Sequence, residues 1–174
     1  MELFPVEGPW AGRLAVCSRP RAGSWLEDDI LALRDANLDI LVSALVAEEI
    51  EKLGLEPVGE LCTRHGVEFI HFPVGNLQIP REELARPALA RWLAALHNGR
   101  GLAVHCFARV GRSPTLAAAL LVMGGVAPAE AWRRLEAVRG RQVPDTNEQR
   151  DWAARFAPPS PARHLTPAPP TIVS

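Results

Sequence analysis

Strands alternating with helices predict a three-layer α/β fold with a mostly parallel central sheet flanked by helices. Residues 38–45 form a continuous β-branched and leucine-rich run, as a strand buried on both faces does. Between such runs apolar residues recur at helical spacing, as in Leu26, Ile30 and Leu33. A further apolar run, residues 101–104, leads through a short loop into the long apolar stretch 116–123. In sheets of this kind ligands sit at the carboxyl ends of the strands.

Taken in order, residues 1–12 are rich in Pro and Gly and read as an opening loop carrying Trp10. Residues 13–18 read as a short strand, and Ser24 stands where it can cap the helix that Leu26 begins. Glu27, Asp28 and Asp29 in the first turn of that helix complement its dipole, and Asn37 ends it. After the 38–45 strand come short helices over 47–53 and 57–65, the second closed by Gly66. Residues 67–74 read as a strand and 75–80 as a loop. The next helix places Leu89, Trp92, Leu93 and Leu96 on one face, with Pro87 near its start and Asn98-Gly99 at its end. Pro128 opens a helix bearing Ala131, Trp132, Leu135 and Val138, Gly140 stops it, and a last helix spans about 146–156. Residues 1–156 are thus expected to form one domain. The Pro-rich tail, 157–174, has little to bury and is expected to be disordered.

At 174 residues the chain can bury a single sizeable core. A hydrophobic content of 48% beside 22% charged residues is that of a soluble globular protein. A formal net charge of −1 gives no general attraction to polyanions, so neither nucleic acid nor membrane is expected as a partner. The N-terminus carries no basic-then-apolar segment, and residues 116–129, the longest apolar stretch, fall short of the roughly 20 residues of a membrane span. Cys17, Cys62 and Cys106 are odd in number and irregularly spaced, which argues against a disulfide framework or a zinc module. No cofactor and no metal is expected. A reactive thiol persists best in a reducing compartment, so the expected location is cytoplasmic.

The stretch Val104-His105-Cys106-Phe107-Ala108-Arg109-Val110-Gly111-Arg112-Ser113-Pro114 carries the chemistry. A strand, a short loop and a helix start in that order put backbone N–H groups at a positive helix end, which suits an anion. Helix N-termini and nearby cations favour thiolate over thiol, so Cys106 is the candidate nucleophile. The N–H groups of Phe107, Ala108, Arg109, Val110, Gly111 and Arg112 are candidates to surround three phosphate oxygens. Arg112 would grip two of them at once, and Gly111 would let the backbone turn closely beneath the ligand. Ser113 can donate its hydroxyl to the Cys106 sulfur, and His105 is expected to orient the loop through backbone contacts rather than act as a base. The alternative is that Cys106 is a small buried hydrophobe.

His-Cys, five residues, then Arg-Ser resembles the signature of the protein tyrosine phosphatase superfamily. Residues 25–45, His71-Phe72-Pro73-Val74 and residues 125–149 are similar to the small atypical dual-specificity type, so the likeness covers roughly 10–156. It implies hydrolysis of phosphate monoesters through a phosphocysteine, on a phosphorylated protein or a small phosphate monoester, in a shallow site. A phosphate-binding module with little catalysis is the alternative.

Two positions depart from the family. Its general-acid Asp follows the strand before the motif strand, in a pattern like FPIPDxxxP; here the stretch is Phe72-Pro73-Val74-Gly75-Asn76-Leu77-Gln78-Ile79-Pro80. Asn76 occupies the acid's position, and an amide cannot supply the proton, a contribution worth roughly 10²–10⁴-fold. Either Glu82, Glu83 or Asp145 substitutes, or the substrate is an aryl phosphate with an easy leaving group, or the chain chiefly binds phosphorylated partners. Glu82 and Glu83 have a second reading as the first turn of a helix. Arg109 stands where the family usually has Gly, and either meets a multiply charged substrate such as an inositol phosphate or faces solvent. Gln149 matches a water-positioning family residue by order alone, with a helix-surface role as the alternative.

Overall fold

Period-two alternation along the central strands sends their side chains into two separate cores. The computed structural model describes residues 1–158, in which five strands form one sheet in the order β1-β2-β5-β3-β4. These are β1 (Leu3–Val6), β2 (Leu14–Cys17), β3 (Ile40–Ser43), β4 (Glu68–His71) and β5 (Leu102–His105). β2, β5, β3 and β4 run parallel, with Val16, Val104 and Val42 level across the sheet. The helices are α1 (Leu26–Asp35), α2 (Ala47–Leu53), α3 (Val58–Arg64), α4 (Glu82–His97), α5 (Arg112–Met123), α6 (Pro128–Arg139) and α7 (Asn147–Ala154).

Leu14, Val16, Ile40, Val42, Leu102 and Val104 face the larger core, which α4, α5, α6 and α7 close with Leu89, Trp92, Trp132, Leu135 and Trp152. Ala15, Cys17, Leu41 and Ala103 point the other way, onto Leu26, Ile30 and Leu33 of α1 and Val58 and Cys62 of α3. The three-layer expectation therefore holds. α5 is apolar on every side because it is buried on every side: all residues from Arg112 to Val122 are buried. No helix among the described residues is long and apolar enough to cross a membrane.

Local readings erred where a long-range partner decides the structure. Residues 1–12 are not only loop, because β1 pairs antiparallel with β2 and covers that edge of the sheet. Pro5 hid this strand, yet an edge strand tolerates Pro because its outer N–H has no partner to lose. Ser24 does not cap α1; a 3-10 turn over Gly23–Trp25 precedes it, and Trp25 holds the cap position with no side-chain hydrogen bond. Pro87 lies inside α4 rather than near its start. Asn37 and Gly66 end their segments in left-handed conformations, with φ of 56° and 72°. The tail expected to be disordered lies, from residue 159 onward, outside the described residues.

Leu120, in the second half of α5, is fully buried in the larger core. Leu120→Ala is expected to cost about 2–5 kcal/mol, read as a lower urea midpoint at unchanged slope.

Candidate active site

β5 lies between β2 and β3, so its carboxyl end opens at the middle of the sheet edge. His105 ends the strand, and its carbonyl accepts the Ala44 N–H at 2.9 Å. The chain leaves the strand at Cys106, crosses residues 107–111 and enters α5 at Arg112. Cys106 is 2% exposed. Its Sγ lies 3.2 Å from Ser113 Oγ and accepts the Arg109 N–H at 3.3 Å. The N–H groups of Phe107, Ala108, Val110 and Gly111 have no backbone acceptor among the described residues. Together with the start of a twelve-residue helix they form a donor set suited to an anion.

The Arg112 guanidinium is 4% exposed and held from three sides. Nη1 and Nη2 donate to the two carboxylate oxygens of Glu49 at 2.7 and 2.8 Å. Nη1 also donates to Val74 O at 2.9 Å and Ala44 O at 3.3 Å. Burial by itself would raise the Glu49 carboxyl, but hydrogen bonds from Arg112 and from the Val46 N–H outweigh it and hold it below its ordinary value. The sequence reading missed Glu49. Its one local sign is its place in the first turn of α2, where it closes back on the Val46 N–H as half of a capping box.

His105 is buried, and burial above all, with Arg112 and Arg19 nearby, pushes its imidazole down to about 3. It is therefore neutral, and neither ring nitrogen meets hydrogen-bond geometry with a partner among the described residues. Arg109 adopts φ of 64°, the left-handed region that a glycine would enter freely. Its side chain is neither free in solvent nor aimed at the thiol: it pairs with Glu2 and lies over the Phe4 ring. Arg139 Nε donates to the Arg109 carbonyl at 3.2 Å, and its guanidinium stacks 3.9 Å from the Phe4 ring centroid. Burial first, then Arg109 and Arg141, lower the Arg139 pKa. On the neighbouring side Arg19 Nη1 donates to the Phe107 carbonyl at 2.8 Å. Arg19, Arg21 and Arg109 share a cleft with Phe107 and Ala108.

Asn76 is exposed in a tight turn after β4, where Leu77 takes φ of 59°. Glu82 and Glu83 sit in the first turn of α4, where Arg86 Nη2 donates to Glu82 at 2.5 Å and Arg81 lies 3.9 Å from Glu83. They line a shallow cleft with Arg86, Pro87 and Ala90, and no residue of the 107–111 loop takes part in it. Asp145 and Gln149, in contrast, pack against the loop: a methyl group on Gly111 would fall 2.3 Å from Asp145 Oδ2 and 3.0 Å from both Gln149 amide atoms. Space, rather than an unusual φ, is thus what demands glycine there, since Gly111 has φ of −93°. Gln149 is fully buried, not a helix-surface residue, and its Nε2 donates to Gln78 O at 3.1 Å.

Residues 15–126 match the family model Tc-R-P, described as "Polymorphic toxin system, DSP-PTPase phosphatase". No curated protein matches the chain. Among solved structures, kinase associated phosphatase, with serine replacing its catalytic-site cysteine, is 19% identical at a TM-score of 0.80, covering 89% of this chain and 93% of that one. PTPMT1 in complex with PI(5)P is 19% identical at 0.69, covering 82% and 88%. Human DUSP28 is 20% identical at 0.62, covering 87% and 94%. At these identities the likeness is one of fold, the fold of dual-specificity and tyrosine phosphatases. The family model spans well over half of the sequence, and the chain belongs to the Tc-R-P family of DSP-PTPase phosphatases.

Proposed function

We propose that the chain hydrolyses phosphate monoesters through a covalent phosphocysteine at Cys106, with phosphotyrosine-like aryl phosphates as substrates. The observation that carries this reading is the Cys106 sulfur at the end of the central strand, 3.2 Å from Ser113 Oγ and beside four loop N–H groups with no backbone acceptor among the described residues. Cys106 Sγ bonds to phosphorus as the ester P–O bond breaks. The N–H groups of Phe107, Ala108, Arg109, Val110 and Gly111 and the Arg112 cation hold the phosphoryl oxygens through the transition state. Glu49 takes the Nη1–Nη2 edge of Arg112, which leaves the Nε–Nη2 edge to grip two oxygens side by side. Ser113 donates to the sulfur as it departs. His105, neutral, acts only through its backbone. The Asn76 amide supplies no proton, which favours the easier aryl leaving group. The substrate is a phosphorylated protein or a small phosphate monoester, and the cytoplasm is the compartment that would keep the thiol reduced.

A second reading, a substrate with more than one anionic group, is favoured by Arg19, Arg109 and Arg139 gathered beside residues 107–109. The same fold carries PI(5)P in PTPMT1. Arg109→Gly keeps the left-handed backbone while removing the cation. It is expected to lower kcat/KM for a bis-phosphorylated substrate at least tenfold and to leave p-nitrophenyl phosphate nearly unchanged.

The wild type should hydrolyse p-nitrophenyl phosphate in the presence of a chelator, with inhibition by vanadate. Cys106→Ser should abolish turnover. Binding of phosphate without turnover in the wild type would instead establish a phosphate-binding module.

Glu49 positions Arg112, and its folded-state pKa is depressed, so it stabilises above the unfolded value of about 4.3 and loses that contribution as pH falls through the folded value. Glu49→Gln is expected to cost about 1.5–3 kcal/mol at pH 7, a gap that narrows in acid below about pH 4. Denaturant melts of both proteins across pH check this, and a drop in kcat/KM of up to roughly 10²-fold should accompany it.

A further inference from the structure

We infer that Asp145 is the proton donor and acceptor of this active site, taking the part that Asn76 cannot. The inference rests on the phosphocysteine reading above. Asp145 lies in the turn between α6 and α7, far in sequence from the loop that carries Asn76. Its Oδ2 nonetheless occupies the space directly beside Gly111, since a methyl group there would come within 2.3 Å of it. Of the other carboxylates near the loop, Glu2 pairs with Arg109. Glu82 and Glu83 are engaged by Arg86 and Arg81 on the first turn of α4, and Glu49 is committed to Arg112. Asp145 is exposed and makes no ion pair among the described residues, so its carboxyl group is open to a leaving group and to water. Arg112 is near enough for the two charges to act on each other.

Gln149 is fully buried one turn further on, its Nε2 spent on Gln78 O and its Oε1 without a partner among the described residues. Both amide atoms lie 3.0 Å from the same methyl position on Gly111. A buried amide oxygen left unpaired costs free energy unless something donates to it, and water at the phosphate loop is the natural donor. Thr146 holds this pair in register, since its hydroxyl accepts the Gln149 N–H at 3.1 Å and caps α7 directly after Asp145.

The two half-reactions then balance. In the first, Cys106 Sγ bonds to phosphorus, the ester P–O bond breaks with its electron pair on oxygen, and that oxygen takes the Asp145 proton. In the second, a water oxygen bonds to phosphorus and its proton passes to the Asp145 carboxylate. The P–S bond breaks with its pair returning to Sγ. Inorganic phosphate leaves, and the thiolate and the protonated acid are restored.

The test uses the full chain, a series of aryl phosphates of rising leaving-group pKa, and complete rate–pH profiles. Asp145→Asn should lower kcat by roughly 10²–10⁴-fold for the poorest leaving groups and much less for p-nitrophenyl phosphate, giving a steeper leaving-group dependence. It should also remove the basic limb of the profile. Asp145→Glu should restore part of both, whereas Glu82→Gln and Glu83→Gln should leave both as in the wild type. A melting temperature near that of the wild type would show that Asp145→Asn still folds. Unchanged leaving-group dependence and pH profile in Asp145→Asn, with turnover still lost in Cys106→Ser, would overturn the inference and leave the phosphocysteine reading standing. Turnover surviving in Cys106→Ser would overturn both.

Discussion

A guanidinium buried at the edge of a parallel sheet must be neutralised and hydrogen-bonded, and much of this architecture meets that one demand. An uncompensated charge in such a place costs several kcal/mol. Arg112 is compensated by a carboxylate from α2 and by carbonyls that follow β3 and β4. Those partners are brought together by strand order: β5 feeds the loop, β3 lies next to it and β4 beyond. A sheet with these strands permuted would carry the same motif and lose its support. α5, otherwise apolar throughout, begins with buried Arg112, Ser113 and Thr115, the last two meeting Cys106 Sγ and the Gly111 carbonyl.

The alternation of strand and helix was legible because each element carries its own periodicity. The limits of α2 at residues 47–53 could be read off directly, and the motif was legible because its residues are contiguous. What escaped is what depends on distant partners. β1 exists because β2 offers an edge, although Pro5 argues locally against a strand. Glu49 meets Arg112 across 63 positions, and its one local distinction from Glu48, the capping contact with the Val46 N–H, does not point to Arg112. Only the direction in which α2 docks separates the exposed carboxylate from the paired one.

Arg109 shows how a departure from a family pattern is accommodated. A left-handed residue with a side chain costs on the order of 1–2 kcal/mol relative to glycine. Here the conformation is fixed by what surrounds it: its N–H meets the Cys106 sulfur, its carbonyl meets Arg139, and its guanidinium meets Glu2 over Phe4. Phe4 belongs to β1, so the strand that looked like loop is also what anchors the substituted position.

The two sides of the loop between β5 and α5 consequently differ in charge. Around Phe107, Ala108 and Arg109 stand guanidinium groups from Arg19, Arg109 and Arg139, with the Glu2 carboxylate paired to Arg109 among them. Around Gly111 stand a carboxylate and an amide, from Asp145 and Gln149. A phosphate ester is asymmetric in the same sense, with a dianionic end and a leaving oxygen that needs a proton only as its bond breaks. On the proposed reaction, cations on one side would hold the substrate's negative charge, and the proton would come from the other. Placing both functions on the same side would tie the carboxylate up in ion pairs with Arg19, Arg109 and Arg139, away from the leaving oxygen. On that reading, separating the two charges across a loop of a few residues would let one small site both attract an anion and protonate its leaving group.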